Sequence, residues 1–149
     1  MAGSMDTELD ALQTTLRAEH AALYVYGTLG AQTSRSAQPA LFDAVSSAYA
    51  AHRARRDLLV REITGLGATP AASAPSYAVP RELGTPGAVR REALELERGC
   101  ARTYAWLVAN TVGERRRWAA GALNDAAVRE LVFRGTPEML PGADEYTDR

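Results

Sequence analysis

Chemistry in this chain of 149 residues has few places to start. It carries two histidines, His20 and His52, one cysteine, and no lysine; all 17 basic residues are arginine. Lysine-based Schiff-base or general-base chemistry is therefore excluded, as are a disulfide framework and any cysteine-based metal site. No Gly-rich phosphate loop, Ser/His/Asp order or His-Glu-x-x-His is present. What remains is a set of acids and imidazoles. Glu19 falls on an apolar stripe, seven residues after Leu12 and four before Leu23, with His20 four after Leu16. His52 lies on a second stripe, and Glu97 near a third. A carboxylate in a core stripe is costly unless it is paired or bound to a cation. A metal ion shared by Glu19, His52 and Glu97, a hydrogen-bonded network with His20, Tyr49 and Arg56, or proton uptake must neutralise it. Two His with carboxylates would suit one divalent Zn, Fe or Mn ion.

These residues need helices to hold them, and the 29 alanines supply helix propensity. Leu9, Leu12, Leu16, Leu23, Tyr26 and Gly30 predict a first helix over about 7–31, opened by a capping-box-like Thr7/Asp10 pair. Pro39 suits the first position of a second helix, about 39–65, with Phe42, Val45, Tyr49, His52, Arg56, Leu59 and Ile63 on its seam and Gly65 and Gly67 as its stop. Thr85-Pro86 restarts a third, about 86–110, through Val89, Ala93, Leu96, Cys100, Thr103 and Leu107. A fourth spans about 114–134, with Ala120, Leu123, Ala127 and Leu131 inward, flanked by Val128. Gly135 ends it, and residues 136–149 read as an acidic tail. Met1–Met5 resembles a cloning remnant. No strand pattern and no internal repeat is found.

The connections are short, long, short. Short ones make antiparallel hairpins of helices 1–2 and 3–4. Residues 66–85, broken by Pro70, Pro75 and Pro80, reach about 66 Å when extended, enough to retrace a helix of roughly 39 Å. Tyr77 and Val79 read as its anchors. One long crossover between two hairpins is the ferritin-like four-helix arrangement, so the expected class is an all-α, ferritin-like four-helix bundle. Glu19 and His52 each lie about 18–20 Å from the first hairpin turn, and Glu97 matches them on helix 3. They share a layer. A di-iron centre needs a Glu from each of two helices and Glu-x-x-His from the other two. Helix 2 offers Tyr49-x-x-His52, and helix 4 offers Gly121-x-x-Asn124. Two metals lack ligands.

The stretch Glu19-His20-Ala21-Ala22-Leu23-Tyr24-Val25-Tyr26-Gly27 resembles the core of an uncharacterised actinobacterial ferritin-like family, a domain of unknown function. His52-Arg53-Ala54-Arg55-Arg56-Asp57, Pro75-Ser76-Tyr77-Ala78-Val79-Pro80, Leu96-Glu97 and Arg117 fit the same pattern. Leu140-Pro141-Gly142 stands where the family usually has Phe-Pro-Gly. The resemblance runs from about Asp6 to Gly142. It implies a ferritin-like bundle with Glu19, His52 and Glu97 as its polar centre, and no established activity. The expectation is a non-catalytic protein with a degenerate di-metal centre and no cofactor; the alternative is a single-metal protein in metal storage or oxygen-linked chemistry.

The net charge of −1 gives no global attraction to nucleic acid or anionic membrane. The Arg53–Arg56 and Arg115–Arg117 patches read as solvated faces or partners of nearby acids. Cys100 reads as a buried small hydrophobe, and Asp125 as facing solvent. Trp106 and Trp118, off their seams, read as a cover for the crossover or as a homodimer face, with the homodimer the expectation. No apolar run is long enough to span a membrane and no secretory leader is visible, which makes a cytoplasmic location the default expectation.

Overall fold

The computed structural model describes residues 2–134, with side chains from Ser4 onward. The described residues form four helices and no strand: α1 (Ala2–Gln32), α2 (Pro39–Gly65), α3 (Pro86–Ala109) and α4 (Gly113–Arg134). A four-helix bundle accommodates them. α1 is already helical at Ala2, so Thr7 and Asp10 lie inside it and not at its start. Pro39 opens α2, where its missing N–H costs no hydrogen bond. Thr85 caps α3, its hydroxyl accepting from the Ala88 N–H at 3.2 Å. After α2, Gly67 takes φ +77°, a conformation that favours glycine. The stop read at Gly135 and the tail 136–149 lie outside the described residues.

Two apolar clusters, one toward each end of the bundle, give the helix directions. One joins Tyr26 and Leu29 of late α1, Leu41 and Val45 of early α2, Val89 and Ala93 of early α3, and Phe133 of late α4. A second joins Leu12 and Leu16 of early α1, Leu59 and Ile63 of late α2, Leu107 of late α3 and Ala119 of early α4. α1 therefore runs antiparallel to α2 and α3, and alongside α4. Residues 66–85 leave the second cluster, where Leu66, Ala68 and Ala71 pack, and arrive at the first through Val79 and Leu83. α1 straps this segment down. The Gln13 amide donates to Thr69 O and accepts from Ala71 N–H, each at 2.8 Å. Tyr77 rests against Tyr24, with ring centroids 5.6 Å apart.

The inward faces differ from the seams read in the sequence, often by one residue. In α2, Leu41, Ala48 and Arg55 are buried where Phe42, Tyr49 and Arg56 were expected. In α3, Glu97 and Tyr104 are fully inward, and Leu96 and Thr103 flank them. In α4 the buried residues are Ala119, Ala122, Ala126, Glu130 and Phe133, which displaces the expected set of Ala120, Leu123, Ala127 and Leu131. One residue turns a helix by about 100°. Helices rich in alanine leave the centre of the stripe poorly marked, and a one-residue error follows.

Candidate functional site

Between the two end clusters the bundle turns polar. Glu19 on α1, His52 on α2 and Glu97 on α3 are all fully buried. His52 joins the two acids: Nδ1 lies 2.6 Å from Glu19 Oε2, and Nε2 lies 3.0 Å from Glu97 Oε1. With both acids ionised they can only accept, so each ring nitrogen donates and His52 is an imidazolium. Burial pushes its pKa down, but the hydrogen bonds to Glu19 and Glu97 outweigh that and hold it above the usual histidine range.

Two tyrosines complete the first ring of contacts. Tyr26 donates to Glu97 Oε1 at 2.6 Å, and Tyr104 donates to Glu19 Oε1. The exchange is crosswise. Glu19 and Tyr26 stand seven residues apart on α1, and Glu97 and Tyr104 seven apart on α3. Because α1 and α3 are antiparallel, two turns along one helix bring each phenol to the other helix's acid. Tyr26 also stacks on His52, at 5.3 Å and 25°. Burial raises both phenol pKa values, and the neighbouring carboxylates raise them further, so both stay protonated donors.

Arg55 links this centre to the surface. Its Nη1 donates to Tyr104 Oη at 3.1 Å and its Nη2 to Asp125 Oδ2 at 2.9 Å. Asp125 remains 64% exposed while the Arg55 side chain is 7% exposed. Burial opposes the Arg55 charge, but Tyr104 and Glu19 more than offset it. His52 is thus the ion-pair partner of Glu19 and Glu97, and Arg55 that of Asp125.

The three residues expected to surround this centre sit elsewhere. Tyr49 is exposed, its ring lying beside Gly27 of α1. Arg56 turns outward to Asp57 at 2.7 Å, and Arg55 takes the inward place. The His20 ring nitrogen meets Ala71 O at 2.9 Å, fastening the 66–85 segment instead of joining the core. On α4, Asn124 and Gly121 are exposed. Cys100 is buried, and burial raises its thiol pKa, as do the nearby Glu19 and Glu97. Arg115 pairs with Glu62 and Glu8, and Arg117 with Glu114. Trp118 packs beside the Leu12 cluster, whereas Trp106 is exposed.

Residues 11–145 match the family model described as a domain of unknown function, DUF4439. The chain belongs to the DUF4439 family. This DUF4439 chain is also similar to a solved structure, the conserved hypothetical protein Rv2844 from Mycobacterium tuberculosis. The two are 26% identical with a TM-score of 0.79, covering 87% of this chain and 89% of that one. No functionally curated protein matches. No helix among the described residues is long and apolar enough to cross a membrane. In this DUF4439 chain, then, the sequence located Glu19, His52 and Glu97 but missed Tyr26, Tyr104 and Arg55 as their partners. The repeated Glu–Tyr spacing of seven on α1 and α3 was the signal that could have found the tyrosines.

Proposed function

We propose that this protein is a ferritin-like bundle whose di-metal position has been given over to a hydrogen-bonded polar centre, and that it acts as a non-catalytic structural or binding protein. The long connection from one end cluster to the other supports the ferritin-like part, since such folds carry one long crossover. A di-metal centre does not fit the residues present. Tyr49 stands in the carboxylate position of α2 and is exposed, and on α4 Gly121 and Asn124 are exposed too, leaving Glu130 as the one buried acid of that helix among the described residues. The observation that carries the proposal is His52 itself. Both its ring nitrogens face carboxylate oxygens, so neither offers a lone pair to a metal.

One observation favours a second reading, a single divalent ion held by Glu19, His52 and Glu97: Glu97 Oε2 is buried without a hydrogen-bond partner. That ion would displace the His52 proton and at least one imidazole–carboxylate bond. Elemental analysis of untagged protein, with and without Glu19→Ala, separates the two. Metal-free protein whose melting temperature is unmoved by Fe²⁺, Mn²⁺ or Zn²⁺ supports the polar centre. One equivalent of metal, lost in Glu19→Ala, overturns it.

A further inference from the structure

α2 and α4 are held together differently from the other neighbours in the bundle. Close backbone packing joins α1 to α2, α3 to α4 and α1 to α3. α2 and α4 are bridged by long side chains instead: Arg55 Nη2 lies 2.9 Å from Asp125 Oδ2, and Arg115 Nε lies 2.8 Å from Glu62 Oε2. These two helices are antiparallel, so Leu58 and Trp118 fall in the interval between the two bridges. The interval holds a cavity of about 210 Å³, lined by Leu12, Leu58, Glu62, Glu114, Arg115 and Trp118. Leu12 of α1 is buried in the core and forms the floor, and Trp118 packs on the same cluster.

The rim of this cavity carries charges of both signs. Glu62, Glu114 and Arg115 line it. Arg115 also meets Glu8 of α1 at 3.3 Å, and Glu114 is paired with Arg117, whose side chain is 78% exposed. Three carboxylates thus stand against two guanidiniums, and two of the acids already share Arg115. The start of α4 and the end of α2 add partial charges of opposite sign, which offset one another. The balance favours positive charge. Arg115 shows the same preference: its hydrogen bond to Glu62, helped by Glu8, outweighs burial and raises its pKa. An anion would meet three acids and find the lining guanidinium already paired.

The walls call for an apolar body behind that charge. A ring or short alkyl chain laid on Leu12, Leu58 and the indole of Trp118 leaves water, and an indole face attracts a cation held over it. The cavity is smaller than those that take drug-sized ligands, so it suits one ring or one short chain. We propose that the cavity between α2 and α4 binds a small organic monocation, an aryl- or alkylammonium, with its apolar part on Leu12, Leu58 and Trp118 and its ammonium at Glu62 and Glu114. The site lies two turns from the polar centre, since Leu12 is seven residues before Glu19 and Trp118 seven before Asp125. It uses neither His52 nor Glu97, so the polar-centre reading and this one can fail separately.

Benzylammonium, benzyl alcohol and benzoate share a ring and differ in charge, which makes them suitable probes. Each is titrated into the full ¹⁵N-labelled chain at neutral pH, with Trp106→Phe used to assign the Trp118 indole N–H resonance. That resonance is expected to shift saturably with benzylammonium, to respond several-fold more weakly to benzyl alcohol, and to ignore benzoate. Glu62→Gln is expected to weaken benzylammonium binding roughly 2–5-fold, as for loss of a partly exposed ion pair, and to leave benzyl alcohol unchanged. Leu58→Trp, which fills the cavity, is expected to abolish binding of both; Glu62→Gln carries the test should that variant not fold. Equal affinity for the ammonium and the alcohol, or tighter binding of benzoate, overturns the proposal. So does a Trp118 resonance that shows no saturable shift at tens of millimolar benzylammonium.

Discussion

His52 is the residue on which the centre turns, and its titration gives a signed prediction. Its folded pKa lies above the ordinary 6.5. A group raised on folding adds stability that is fully present below the unfolded pKa and is lost as pH climbs through the folded one. Urea unfolding from pH 6 to pH 9 should therefore show wild-type stability falling with pH, and His52→Gln should flatten that component. A wild type whose stability rises over this range would contradict the imidazolium assignment. Arg55 and Arg56 give a second test, because they are adjacent and differ in direction. Arg55→Met removes the buried donor to Tyr104 and the partner of Asp125 and should cost about 2 kcal/mol, below the full buried-pair penalty because Asp125 is solvated. Arg56→Met removes a surface contact and should stay within about 0.5 kcal/mol. Equal costs in chemical denaturation would mean the inward arginine is misassigned. The sequence favoured Arg56 because it sits four after His52 on a heptad-like seam. The actual spacing is three, His52 to Arg55, which is equally helical. Nothing local separates the two choices, since only the position of Tyr104 on another helix decides between them.

At the scale of elements, punctuation was more legible than facing. Pro39 and Thr85-Pro86 mark helix starts because their chemistry is local: a missing N–H and a hydroxyl that replaces one. Thr85→Ala should cost about 1 kcal/mol in thermal or urea unfolding, and Thr85→Asp should restore most of it. No loss in Thr85→Ala would show that the Ala88 N–H finds another acceptor. α1 misled at its start for a complementary reason. The Thr7/Asp10 pair has capping chemistry, but no proline interrupts Ala2 to Asp6, and the helix continues through the cap. In α4 the apolar residues surround the helix. Val128, Leu131 and Val132 are exposed while Ala119, Ala122 and Ala126 are buried. Size therefore suggested the wrong side: close approach to α3 selects alanine inward, and bulk is left outside.

For the whole molecule, the question is what a centre made of ions is for. Burying Glu19, His52, Arg55 and Glu97 stabilises the chain only through their mutual pairing, since each alone would carry a desolvation cost of several kcal/mol. Their bonds run between helices and not along them: α2 to α1, α2 to α3, α1 to α3 and α2 to α4. An apolar core tolerates helices that slide or rotate, because any leucine can replace another. A phenol two turns from its helix's own acid cannot reach the opposite acid if the register shifts by a turn. The centre therefore fixes register and orientation at a cost in stability. This has a measurable consequence. His52→Leu alone strands two buried carboxylates and should cost roughly 3–5 kcal/mol. Replacing the set together, Glu19→Leu, His52→Leu, Arg55→Met and Glu97→Leu, should cost far less than the sum of the four singles, because no unpaired charge is left behind. The same variant should lose uniqueness: broader amide resonances and more exchange on the millisecond scale than wild type, with similar helix content. An additive loss of stability in the quadruple variant would contradict this, and so would a spectrum as sharp as wild type. Either result would show that the four helices find their register from apolar packing alone.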